Sequence, residues 1–214
     1  MIFPMPIPIQ TAERDQSFQL RSVCLSDLAA SAHPTHLAAR LDPALSAATL
    51  VQLQKSPRLQ SRLAELLLGN KMDSNGSGWG PDLLRGHDPR RAALLAGSIW
   101  HARSLLKLVS KPHLTALIGH IGADAHAFGI RHLAHAVANS LIADPEKLAK
   151  QIEYDGHACL GAWLNDSSGL ERNRVLLRLP VGSAAGAPAP EHTNASGQLF
   201  SLVVAHFETE IPVI

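Results

Sequence analysis

Cysteine is nearly absent from this 214-residue chain. Cys24 and Cys159 stand alone, with no CxxC pair and no partner histidine at ligand spacing. That excludes a disulfide-stapled scaffold and a cysteine zinc site, and leaves two thiols that behave as small apolar side chains in a reducing compartment. Aromatic residues are scarce at 4%, which disfavours a sheet core built on aromatic and β-branched pairs. No charge of one sign prevails either. The formal net charge is +1, so bulk attraction to nucleic acid or an anionic membrane surface is excluded. Long apolar runs are missing too. The opening MIFPMPIPIQ is apolar but broken by Pro4, Pro6 and Pro8 and lacks the basic region of a signal peptide, and nothing later approaches a spanning length. A cytoplasmic location is expected.

What is present is alanine and leucine within a 46% hydrophobic composition, and both residues favour helix. Punctuation agrees. Asp42-Pro43, Ser56-Pro57, Asp88-Pro89 and Asp144-Pro145 each pair a capping side chain with proline at a first helical position. Between them, apolar residues recur at three and four. Leu59, Leu63, Leu66 and Leu67 share one face. Leu95, Ile99, Ala102, Leu106 and Val109 form a stripe over 89–110, Ala127, Ile130, Ala134, Val137 and Leu141 form another, and Leu148, Ile152, Cys159 and Trp163 a fourth. Leu95, Ile99, Leu106, Ile130 and Val137 are therefore predicted core residues. The expected fold is all-α, an irregular or orthogonal helical bundle, with a possible minor strand at VLLRLP near the C-terminus. The expected domain map is a flexible Pro-rich arm over 1–17, a helical domain over 18–180, a Gly/Ala/Pro linker over 181–197 and a C-terminal docking segment over 198–214.

Charge is unevenly distributed. Residues 85–135 hold seven arginines and lysines against Asp88 and Asp124, a local +5, whereas 136–214 carry a local −4. Trp79 sits in the Gly/Ser-rich loop 70–82, just ahead of this basic region. Tryptophan and arginine are the types most enriched at interface hot spots, so Trp79, Arg85, Arg90 and Arg91 are the candidate partner-binding residues, against the simpler reading of an ordinary solvated helix face. Twelve histidines also invite a metal-dependent enzyme using 113–135, through His113, His120, Asp124, His132 and His135, but none has HExxH-like spacing. A helical nucleic-acid-binding regulator is the other alternative, with few aromatics available to stack bases. There is no GxSxG elbow, and the GxGxG of Gly76, Gly78 and Gly80 follows a helix and lacks a Lys-Ser/Thr, unlike a phosphate cradle. No enzyme, no cofactor and no metal are expected.

The order of RRAALLAGSIWHARSLLKLV, HAFGIRHLAH, LGAWL with its Gly161-x-Trp163, and VLLRLP with Leu177 to Pro180 followed by a low-complexity break resembles one family across residues 18–207. It is the K-type accessory proteins of the type III secretion sorting platform, the YscK/SctK group, which includes rhizobial nodulation proteins. The Pro-rich arm and the Gly/Ala/Pro segment depart from its pattern. The resemblance implies a cytoplasmic, non-enzymatic adaptor. Its partners are the cytosolic domain of the inner-membrane ring and the sorting-platform pod protein, with no nucleic acid, no direct membrane insertion, and a position peripheral to the inner membrane through those proteins.

Overall fold

Several of the described helices carry proline in their first or second position, because proline holds φ near its helical value and has no N–H to leave unsatisfied. The computed structural model describes residues 28–210 except 43, 70–82 and 85. These are all-α, with no strand among the described residues. The chain divides into two compact units, 1–79 and 80–214. The arm expected over 1–17 lies outside the described residues, as do Trp79 and Arg85.

In the first unit, α1 (Pro34–Arg40), α2 (Ala47–Lys55), a 3-10 turn Pro57–Leu59 and α3 (Gln60–Leu68) surround Leu37, Leu50, Leu63 and Leu67. Buried Gln54 donates to the carbonyls of Ala29 at 3.2 Å and Ala32 at 2.7 Å, so its amide is not an unpaired polar group in the core. The helix expected to open at Pro43 instead begins at Ala47. Asp42 turns the chain by accepting from the Ala44 N–H at 2.8 Å, and Ser46 caps α2 through the Thr49 N–H. A short acceptor side chain has diverted the backbone from helix, as aspartate commonly does.

The second unit is organised on α4 (Pro89–Trp100) and α8 (Pro145–Trp163), whose Asp88 and Asp144 caps are those read from the sequence. The two helices touch backbone to backbone. A Cβ on Gly97 would meet the Ile152 carbonyl, and one on Gly156 the Ala93 carbonyl, each closer than 3.0 Å. Around this pair lie α5 (Ala102–Lys107), α6 (Lys111–Ile121), α7 (Ala123–Arg131), α9 (Gly169–Leu176) and α10 (Pro190–Glu210). Leu95, Ile99, Leu148, Ile152, Cys159, Phe200 and Phe207 are buried, and Trp163 stacks on Phe200 at 4.7 Å.

Two apolar stripes run differently from the sequence reading. The first helix breaks at His101 (φ −99°, ψ 19°), and its successor is turned by about one residue. Leu105 and Leu108 therefore enter the core, while Leu106 is 54% exposed and Val109 89%. The second helix stops at Arg131, and a 3-10 turn Leu133–His135 leads into an extended strap over 136–143. The strap is pinned across α4 and α5. The Val137 and Ala138 N–H groups donate to the Trp100 carbonyl at 3.2 and 3.0 Å, and the Ile142 N–H to Ser104 Oγ at 3.2 Å. Ile130 and Val137 are half-buried, whereas Ala127 and Leu141 are exposed and Ala125, Phe128 and Gly129 point inward.

The stretch expected as a linker is ordered into structure. Residues 184–186 form a 3-10 turn whose Ala185 is buried against Gly161, and α10 already begins at Pro190. Apolar docking through Leu199, Phe200, Val203 and Phe207 outweighs the weak helix propensity of APAPEHTNASG. VLLRLP ends α9 and forms no strand, with Val175, Leu177 and Leu179 buried.

Candidate interaction surface

Of the four candidate partner-binding residues, Arg90 and Arg91 fall within the described residues, side by side in the first turn of α4. They differ sharply. Arg90 is exposed and reaches Glu153 only at 3.5 Å, a loose surface pair of small worth. Arg91 grips Glu210 with both Nη atoms, at 2.6 and 2.7 Å, and Asp124 at 2.6 Å, with its guanidinium 5.4 Å from the Phe207 ring centroid. The Glu210 hydrogen bonds raise its pKa above the ordinary arginine value against burial, and Asp124 adds to the rise. Glu210 in turn is held below the usual glutamate range, chiefly by Arg91. Arg91 thus fastens the end of α10 to α4 and α7, while Arg90 keeps its charge toward solvent.

The histidines of 113–135 do not converge. His113 and His120 are exposed on α6, His132 tilts against Phe128 at 4.5 Å, and His135 pairs with Gln198 at 3.0 Å. Asp124 instead groups with His206 and Glu210, whose potential ligand atoms lie within 4.8 Å of one another. Arg91 already occupies both of those carboxylates, so a metal ion there must displace a bidentate guanidinium. His206 and Glu210 escaped the sequence reading because they enter from α10.

A second polar cluster is centred on buried side chains. Asp155 on α8 accepts from His101 Nε2 at 2.6 Å, from Gln151 Nε2 at 3.0 Å and from His192 Nε2 at 3.0 Å. Burial pushes the Asp155 carboxyl up, but these three donors together outweigh it and hold it below the usual aspartate range. Neither His101 Nδ1 nor His192 Nδ1 has a partner. The arrangement therefore suits imidazoles that donate from Nε2 and carry a bare lone pair on Nδ1. His192 also stacks on Trp100 at 4.7 Å. The neighbouring Cys159 thiol is pushed up by burial first and then by Asp155 and Glu191, which keeps it protonated and unreactive. This cluster locks the α4–α5 break to α8 and to the first turn of α10.

At the far end of α5 a groove of about 470 Å³ opens, lined by Lys107, Val109, Ser110, His113, Leu141 and Ile142 among others. Val109 and Leu141, at 89% and 58% exposure, are its apolar rim. No helix among the described residues is long and apolar enough to cross a membrane.

Comparison with known proteins gives two relatives of full length. The chain is 75% identical over 212 residues, 99% of its length and all of the relative's, to the nodulation protein NolU of Sinorhizobium fredii (strain NBRC 101917 / NGR234). It is 74% identical over 212 residues, with the same coverage, to the nodulation protein NolU of Rhizobium fredii. No family model and no solved structure matches.

Proposed function

Since the chain belongs to the family of the nodulation protein NolU, we propose that it is a non-enzymatic cytoplasmic adaptor of a type III protein secretion apparatus. In this role it links the cytosolic domain of the inner-membrane ring to the pod protein of the sorting platform. The observation that carries the reading is family membership over 99% of the chain, joined to an order of motifs that resembles that of the K-type accessory proteins. Two features of the molecule suit such work. The helical body is tied together by the Arg91 clamp and the Asp155 cluster, which gives a rigid platform. Its surface keeps cations such as Arg90, Lys107 and Lys111 that no strong internal ion pair neutralises. Such groups steer an acidic partner and set the register of docking more than they add affinity.

The test is affinity purification of the tagged full-length chain from its native bacterium, with the recovered proteins identified by mass spectrometry. Recovery of the ring's cytosolic domain and the pod protein supports the adaptor. Arg90→Glu, which leaves the Arg91 clamp intact, is expected to lower recovery of an acidic partner and its sensitivity to salt. Recovery of neither export component from wild type overturns the reading.

A further inference from the structure

The break at His101 explains why a groove exists. By turning α5, it brings Leu105 and Leu108 inward and leaves Leu106 and Val109 facing solvent, while the pinned strap holds Leu141 on the opposite wall. Two of the five large apolar side chains exposed among the described residues of 80–214, Val109 and Leu141, line this groove. Scattered exposed leucines need no explanation, whereas a contiguous apolar rim around a concavity marks a contact site. The volume falls within the roughly 300–1,000 Å³ of clefts that enclose small ligands, room for a few side chains of a short segment but not for a domain face.

The charge around the groove selects the kind of segment. Lys107 and Lys111 form no ion pair among the described residues, and His113 stands exposed between groove and solvent. Ser110 precedes α6 without a side-chain cap, and the first turn of α6 holds no acidic residue. The positive end of that helix therefore opens toward the same place uncompensated. The carboxylate nearest in sequence, Asp144, is engaged in capping α8 through the Lys147 N–H at 2.7 Å. Apolar walls beside Lys107, Lys111 and the uncapped start of α6 complement an apolar segment that carries acids.

We propose that this groove, lined by Lys107, Val109, His113 and Leu141, receives a short amphipathic segment of a partner protein. Its aliphatic side chains sit against Val109 and Leu141, and its flanking carboxylates reach Lys107, Lys111 and the N-terminal turn of α6. The segment belongs to a subunit that the adaptor holds, so the assignment presupposes the adaptor reading and adds a place and a chemistry to it.

Two measurements decide it. In the first, a photo-reactive benzoylphenylalanine replaces Val109 or, as a control away from the groove, Tyr154 in the full-length chain inside the native bacterium. The expected adduct from position 109 is a peptide of another protein with aliphatic residues beside aspartate or glutamate. No adduct, an adduct with a second copy of this chain, or a basic peptide overturns the proposal. In the second, fluorescence anisotropy follows a synthetic Leu-x-x-Leu peptide ending in three glutamates, and its counterpart ending in three lysines. The acidic peptide is expected to bind wild type and to weaken at least about tenfold with Val109→Asp or with Lys107→Glu and Lys111→Glu together, as loss of an interface anchor commonly does. Equal binding of both peptides, or binding indifferent to Val109→Asp in a variant of unchanged helicity, also overturns it. The adaptor reading fails separately: a Val109→Asp chain that still recovers the export components leaves the adaptor standing without this groove.

Discussion

Replacing Asp155 with alanine removes the one acceptor that two buried histidines and the half-buried Gln151 share. His101 Nε2, His192 Nε2 and Gln151 Nε2 approach it at 2.6, 3.0 and 3.0 Å, and both histidines and Asp155 are at most 6% exposed. Each buried donor left without a partner costs about 1–3 kcal/mol, so orphaning the two histidines costs about 2–6 kcal/mol. The loss is a large share of the roughly 5–15 kcal/mol that holds an ordinary domain folded. At about 2–4 °C per kcal/mol, Asp155→Ala should melt roughly 4–24 °C below wild type. Asp155→Asn keeps one acceptor oxygen and should fall between the two. The damage should also be local before it is global. His192 ties the first turn of α10, so hydrogen exchange there should quicken most. A second signature separates this network from mere packing. Exchanging Asp155, His101 and His192 together for leucines should cost less than the sum of the three single changes, because no orphaned donor remains. An Asp155→Ala protein that melts within about 2 °C of wild type, with unchanged exchange in α10, refutes the reasoning.

Leu105→Ala should cost about 2–5 kcal/mol and Leu106→Ala less than about 0.5 kcal/mol, read by thermal melts. The reverse order contradicts the turn at His101. Gly156→Val should unfold the second unit or lower its melting temperature sharply, since the branched side chain would drive into the Ala93 carbonyl; circular dichroism indistinguishable from wild type refutes the close crossing. Stability should fall with acid in two stages. His126, His132 and His157 have pKa values lowered from 6.5, chiefly by burial, so below about pH 6.5 the unfolded chain takes up protons that the folded one resists. Asp155 and Glu210 are held below their usual values, so their contribution, complete above the ordinary carboxylate pKa, is lost as pH falls through the lower folded ones. A melting temperature constant from pH 7 to pH 5, or one unchanged in slope by His157→Gln, contradicts the upper stage.

Local signals were legible in the sequence and tertiary ones were not. Asp88-Pro89 and Asp144-Pro145 mark real helix starts because cap and proline act within three residues. The stripe through Leu148, Ile152 and Cys159 is real because nothing interrupts α8. The turn at His101 answers to Asp155, 54 residues away, and the strap after Arg131 answers to the Trp100 carbonyl. No window of sequence holds both ends of those contacts. APAPEHTNASG reads as a linker by composition, yet it starts α10 because Phe200 and Phe207 further on are buried and bring it along. The surface shows the same division. Arg90 and Arg91 look alike in a basic run, but the acids that claim Arg91 lie 33 and 119 residues away. The groove was hidden because the periodicity that placed Leu106 and Val109 in the core assumed an unbroken helix.

Co-assembly of purified components tests most directly the proposal that this chain holds two export proteins together. The full-length chain, the ring's cytosolic domain and the pod protein, mixed and passed through size exclusion with light scattering, are expected to elute as one complex containing all three. Ring domain and pod protein without the chain should remain apart. A chain that elutes alone from both, or two partners that join equally well in its absence, contradicts the claim.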